Sequence, residues 1–301
     1  MRQTFTGVGT ALITPFTRGG AVDEAAVARL ARRQIDAGVH FLVPCGTTGE
    51  SPTLSMAERR RVVEIVVGEA RGRARVMAGA GGYDTREVVH AVQEMTAAGA
   101  DGILSVTPYY NKPTPEGLYQ HYKAIAEAST LPIVVYNVPG RTGCNVDPAT
   151  LARIATLPNI VGVKEASGNV TQMAEICRLL PKSFLVLSGD DALALPLMAI
   201  GGRGIISVAS NEVPAEMVAM VEAAERGDFG EARRWHEKLL PVMQVNFIES
   251  NPGPVKFAMS VMGHCEESFR LPVVAPTPAS QKAIVATLRD FGLPVVSGAH
   301  A

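Results

Sequence analysis

The chain has 301 residues, 47% of them hydrophobic, and a formal net charge of −1. A large core is therefore available, while the balanced charge offers no electrostatic footprint for nucleic acid or an anionic membrane surface. Four scattered cysteines without a C-x-x-C pair, and six histidines in no ligand spacing, indicate neither a disulfide framework nor a metal site.

The opening MRQTFTGVGTALITPF has one Arg followed by polar residues and glycines, and no later run reaches the length of a bilayer span, so a soluble, cytoplasmic protein is expected. Short apolar runs bounded by Gly, Pro or Asp predict strands over 9–15, 40–44, 75–80, 102–107, 133–136, 161–164, 184–187 and 204–208. Helical periodicity fills the gaps. Val27, Leu30, Ala31 and Ile35 share one face, and Ser55-x-x-Glu58 and Asp84-x-x-Glu87 read as capping boxes. Glycine recurs at the helix-to-strand junctions in AGV (37–39), AGA (98–100) and IGG (200–202), as a helix C-terminus feeding a buried strand requires.

Strands that are apolar on both faces and separated by helices indicate a parallel sheet. Eight successive βα units fit a closed (β/α)8 TIM barrel better than an open sheet, and the barrel is expected to occupy residues 1–225. From Val213 the pattern is helical, with NPGP (251–254) punctuating it, so residues 226–301 read as a C-terminal helical region packed on the barrel.

Barrel sites lie at the carboxyl ends of the strands. Residues closing the strands are Thr14, the Thr47-Thr48 loop, Tyr109-Tyr110, Tyr136, Arg141, Lys164, Gly189-Asp190-Asp191 and the Ser207 to Asn211 stretch. Among seven lysines, only Lys164 ends an apolar strand run. Alternation puts Ile160, Gly162 and Lys164 on one face and Glu165 on the other, which keeps that carboxylate off the amine. A lysine at a strand end can simply reach out to water. Buried in a barrel, it can instead attack a ketone as the free amine and form a Schiff base.

Tyr136, closing the preceding strand, is either a plain strand-end aromatic or a proton relay for such chemistry. Thr47 and Thr48 either stabilise their own turn or divide relay and carboxylate binding between them, with Gly46 and Gly49 admitting a ligand close to the backbone. GGRG (201–204) precedes a strand and so sits at the end away from the site. Asp190-Asp191 lacks further ligands for a metal and reads as a helix N-cap.

The motifs GTTGE (46–50), TPYYNKPTPEGLYQHY (107–122), YNVPGRTG (136–143), VGVKEASG (161–168), LSGDDA (187–192), GIISVASN (204–211) and NPGPVKFAM (251–259) resemble, in order and across the chain, those of the dihydrodipicolinate synthase family. The resemblance implies condensation of pyruvate with L-aspartate 4-semialdehyde to 4-hydroxy-tetrahydrodipicolinate in lysine and diaminopimelate biosynthesis, with a covalent imine and no separate cofactor. It assigns Lys164 to the imine and Tyr136, Thr47 and Tyr110 to a proton relay, Tyr110 reaching across a tight dimer interface. It also implies that Thr48, Arg141, Gly189 and Ile206 bind substrate and that the assembly is a homotetramer, a dimer of dimers.

In the family's lysine feedback site, Ser51, Glu87 and Tyr109 match. Tyr83 stands where sensitive members carry Asn, and Met56 and Arg59 fall where His or Trp, and His, are common. Weak or absent lysine inhibition is therefore expected. Two other readings stay open. One is an N-acetylneuraminate lyase or 2-keto-3-deoxy sugar acid aldolase of the same superfamily, which the PGRTG context and Tyr109-Tyr110 disfavour. The other is a non-catalytic binding barrel, disfavoured by the joint presence of Lys164, Tyr136, Thr47 and Tyr110.

Overall fold

A computed structural model describes residues 5–296. Its elements in chain order are β1 (Gly7–Ala11), α1 (Glu24–Asp36), β2 (Phe41–Val43), α2 (Met56–Ala70), β3 (Arg75–Gly79), α3 (Thr85–Ala97), β4 (Gly102–Val106), α4 (Pro115–Glu127) and β5 (Ile133–Asn137). There follow α5 (Pro139–Thr142), α6 (Pro148–Ile154), β6 (Ile160–Glu165), α7 (Val170–Leu179), β7 (Leu185–Ser188), α8 (Ala194–Ala199), β8 (Gly204–Ser207) and α9 (Pro214–Glu225). Three more helices, α10 (Phe229–Val245), α11 (Gly253–Val261) and α12 (Pro278–Phe291), complete the described chain. The strands form a closed parallel barrel in sequence order, β8 pairing with β1. This is the (β/α)8 architecture that the eight apolar runs predict.

Local chemistry explains most boundaries. Ser55 and Glu58 form a full capping box on α2, whereas Asp84 caps α3 by accepting from the Arg86 amide at 2.9 Å. Gly38 and Gly99 follow the last residues of α1 and α3 with φ of 86° and 90°, where a Cβ would be strained. The run 9–15 is not one strand. β1 ends at Ala11, and the amide of Ile13 bonds the Asn211 side chain at 3.2 Å instead of a neighbouring strand.

The Asp190-Asp191 reading as a helix cap needs correction. Leu193 occupies the N-cap of α8, and the buried Asp191 instead accepts from Ser207 Oγ at 2.5 Å, Val208 N at 3.0 Å and Ala209 N at 3.2 Å, tying the end of β7 to the end of β8. The GGRG segment does lie at the amino end of the barrel, where the Arg203 carbonyl accepts from Gly7 N.

Most buried apolar residues among those described lie in three places. The barrel interior holds Phe5, Phe41, Met77, Leu104, Val134, Tyr136, Leu187 and Ile206. Between sheet and helices runs the main core. A further cluster joins Val255, Phe257 and Met259 of α11 and Ile284 and Leu288 of α12 to Ile13, Leu30 and Val208 of the barrel, so the C-terminal helices share a core with it.

His121 on α4 is buried, its Nδ1 2.9 Å from Thr85 Oγ1. Burial lowers its pKa from 6.5 to about 4. Between those pH values the unfolded chain binds a proton that the folded chain refuses. Stability from the neutral ring is therefore complete above pH 6.5 and declines as the pH falls towards 4, by about 3 kcal/mol in all. The thermal midpoint of the wild type should fall more steeply over this window than that of His121→Gln; parallel profiles would assign the acid sensitivity to other groups.

Candidate functional site

β5 and β6 pair with Tyr136 opposite Lys164. Both side chains are buried, and Lys164 Nζ lies 4.1 Å from the centroid of the Tyr136 ring. Strand alternation sends Glu165 to the other face. There its carboxylate accepts from Ser167 N at 2.7 Å, Asn137 Nδ2 at 3.0 Å and Gln172 Nε2 at 3.3 Å. Glu165 is thus satisfied by amides, and among the described residues Lys164 has no ion-pair partner. The lysine stem fits because residue 189 has no side chain: a Cβ there would lie 3.0 Å from Lys164 Cε and 2.6 Å from Ala166 Cβ. Ile206 contributes from β8 to the same interior.

The loop after β2 turns on bonds from Gly49 N to Gly46 O and from Glu50 N to Thr47 O, both 3.1 Å. Glu50 is left-handed at φ 52°. Gly49 sits tightly, since a Cβ would meet backbone atoms Cys45 N and Leu12 O at 3.1 Å, whereas a Cβ at Gly46 would meet nothing within 4 Å. Within the protein, then, close approach explains only one of the two glycines. Thr48 is buried and its Oγ1 accepts from Asn251 Nδ2 at 3.0 Å; Thr47 is half-buried and faces a cavity. Burial pushes the Cys45 thiol up to about 12, so it is no nucleophile.

That cavity, about 310 Å³, is lined by Thr47, Ser51, Arg59, Tyr109, Arg141 and Asn251 among others. Its wall includes Val106, the β4 partner of Tyr136, and Val138, two residues beyond it, so it lies over the carboxyl ends of β4 and β5. Arg141 is carried by the short α5 at the rim, exposed, with Nη2 3.2 Å from the Asn251 carbonyl.

Tyr110 is the exception. Its side chain is 90% exposed and its φ is +70°, so within one chain it points to solvent instead of joining Tyr136 and Thr47. Asn111 holds this turn, its amide bonding Tyr109 O at 2.8 Å and its side chain Tyr83 O at 2.9 Å.

Of the residues that the resemblance aligns with a lysine feedback site, Ser51, Arg59 and Tyr109 share the cavity, and Arg59 binds Ser51 O through Nε at 3.0 Å and Nη2 at 2.6 Å. Tyr83 packs edge-on against Tyr109 with centroids 5.3 Å apart, and burial followed by Tyr83 raises the Tyr109 pKa. Met56, half-buried, opens α2, and Glu87 lies exposed in the first turn of α3. Among the described residues no cluster of three or more His, Cys, Asp or Glu could hold a metal ion.

The Dihydrodipicolinate synthetase family model matches residues 4–290. The chain belongs to this family. It is 50% identical over 288 residues to a 4-hydroxy-tetrahydrodipicolinate synthase of Koribacter versatilis, covering 95% of this chain and 96% of that protein. The crystal structure of the Aquifex aeolicus dihydrodipicolinate synthase superposes with a TM-score of 0.95 at 44% identity, covering 97% of this chain and 99% of that one. A chloride-inhibited dihydrodipicolinate synthase from Acinetobacter baumannii, complexed with pyruvate, gives a TM-score of 0.95 at 40% identity, covering 97% of this chain and 100% of its own.

Sequence reasoning placed Asn251 and Lys256 in the NPGPVKFAM motif but assigned neither a role; Asn251 bonds Thr48 and Lys256 pairs with Glu50 in the interior. Neither carries a local signal, because each reaches more than 200 residues back along the chain.

Gly189→Ala must displace the Lys164 stem. It should cost about 1–3 kcal/mol of stability by overpacking and lower activity with pyruvate and aspartate semialdehyde by more than about tenfold through misplacement of the amine. Thermal unfolding alongside steady-state kinetics reads both, and wild-type activity would show that the lysine has room to spare.

Proposed function

We propose that this protein condenses pyruvate with L-aspartate 4-semialdehyde to 4-hydroxy-tetrahydrodipicolinate through an imine on Lys164. The observation that carries the reading is a buried lysine free of carboxylate partners, opposite Tyr136 at the carboxyl end of the barrel. Family membership and the named relatives support the choice of substrates.

Lys164 Nζ attacks C2 of pyruvate, and the carbinolamine loses water to give the imine. Loss of a C3 proton makes the enamine, whose C3 adds to the aldehyde carbon. The amine of the added substrate then attacks C2, closing the ring and releasing Lys164 as the amine. Tyr136 and Thr47 carry protons between these steps. Thr48 holds the pyruvate carboxylate, backbone groups of Gly189 and Ile206 line its pocket, and Arg141 draws in the carboxylate of the aldehyde. The covalent imine is the electron sink, so the scheme calls on no separate cofactor.

Tyr110 completes the relay in a neighbouring copy. Its left-handed backbone, costly for a bulky residue by about 1–3 kcal/mol, and its full exposure support presentation to a second subunit. A homotetramer made of two such dimers is part of the proposal, as is a cytoplasmic location.

Incubation with pyruvate and borohydride, followed by intact-protein mass, should give a reduced pyruvyl adduct on the wild type and none on Lys164→Ala. A coupled assay with aspartate semialdehyde should then show turnover. An adduct without turnover would indicate a sugar-acid aldolase, and no adduct would make Lys164 structural.

The edge-on Tyr83–Tyr109 pair fills space where a lysine effector would need an amide contact. The same assay should therefore show weak or no inhibition by L-lysine, and strong inhibition at sub-millimolar concentration would overturn this.

A further inference from the structure

We infer that Asn251, between α10 and α11, is a positioning residue that sets the Thr48 hydroxyl as a hydrogen-bond donor to the pyruvate carboxylate; this rests on the imine reading above. A threonine hydroxyl has one hydrogen to give and lone pairs to receive. Asn251 Nδ2 donates to Thr48 Oγ1 at 3.0 Å, which occupies a lone pair. Among the described residues, no protein acceptor meets the hydroxyl hydrogen of Thr48, which is left to an anion in the site. The amide therefore fixes both where the hydroxyl points and which way its bond runs.

The loop backbone has its own anchors. Thr14 Oγ1 donates to Gly49 O at 2.7 Å, and Glu50 is held by Lys256. Removing the Asn251 side chain thus leaves the loop in place and frees only the Thr48 hydroxyl. The contact to Arg141 also survives, because it uses the Asn251 backbone carbonyl.

A purely structural role accounts poorly for this amide. Asn251 is only 6% exposed, yet among the described residues its Oδ1 has no protein partner, an arrangement that costs stability and that an apolar residue of similar size would avoid. Unsatisfied polar atoms of this kind collect where function constrains the choice of residue.

The test compares full-length wild type, Asn251→Ala, Thr48→Val and the double variant, reading the pyruvate concentration for half-maximal borohydride trapping by intact mass, and kcat at saturating pyruvate. Asn251→Ala should raise the half-saturating concentration about tenfold, the worth of one well-placed hydrogen bond, and leave kcat nearly unchanged. In the Thr48→Val background the same substitution should change it by less than about twofold, because the route of its action is gone.

Asn251→Asp, of equal size, takes the hydroxyl hydrogen and should weaken pyruvate at least as much; this variant carries the test if Asn251→Ala fails to fold. Equal effects of Asn251→Ala in both backgrounds, or no effect on the Asn251→Ala and Asn251→Asp half-saturation points, would overturn the inference. Absence of an adduct on the wild type would instead overturn the imine reading.

Discussion

The ion pair between Glu50 and Lys256 links the loop that carries Thr47 and Thr48 to α11 across 206 residues of sequence, with the two side chains at most 1% exposed. Burial pulls the Lys256 pKa down, and the Glu50 charge and hydrogen bond oppose that pull. Aromatic faces replace part of the lost water: Lys256 Nζ lies 4.1 Å from the Phe16 centroid and 5.2 Å from that of Phe269. A buried pair of this kind adds little over an apolar pair, yet losing one member strands a charge in the interior. The constraint is therefore geometric. Glu50 must sit where Lys256 can reach it, and its left-handed backbone closes the turn that carries the two threonines.

Lys164 and Lys256 are both buried, and their surroundings give them opposite chemistry. Lys256 has a carboxylate partner in its interior site, which fixes the ammonium in place. The nearest carboxylate in sequence to Lys164, Glu165, is turned away by strand alternation and saturated by amides of Asn137, Gln172 and Ser167. Those same amides bridge β5 and β6 behind Tyr136 and Lys164, since Asn145 ties Asn137 at 2.8 Å to Gln172 at 2.9 Å. A network on the outer face thus keeps a competing charge away from the inner face and stiffens the strands that present the amine.

How much of this was legible follows from the range of each interaction. The eight strands could be read because a barrel buries both faces of every strand, which leaves an uninterrupted apolar run. Lys164 and Tyr136 could be read because each closes such a run. Strand ends were less legible: residues 12–15 look like strand, but Asn211 takes the Ile13 amide from 198 residues away. Asp191 was misread for the same reason, since its partners lie on β8 and beyond. Asn251 and Lys256 stood in a recognisable motif, but locally they offered only a helix boundary and a helical pattern. Their roles exist only once the chain has closed on itself.

The boundary expected after residue 225 concerns topology, not the site. Barrel strands bring Lys164, Tyr136, Gly189 and Ile206 together unaided, because those residues end neighbouring or facing strands. The anion-handling groups are different. Thr48 accepts from the Asn251 side chain, Arg141 donates to the Asn251 carbonyl, and Glu50 is held by Lys256, all partners from the C-terminal region. Arg270 adds a clamp, binding Glu58 at 2.6 Å and the carbonyls of Gly20 and Thr53 at 2.8 Å while stacking 4.4 Å from Phe16. A barrel of eight βα units supplies the buried lysine proposed as the nucleophile. The helices that follow it hold the Thr48 and Glu50 loop and the Arg141 rim and share a core with the barrel, so the proposed carboxylate-binding groups depend on a region outside the eight βα units.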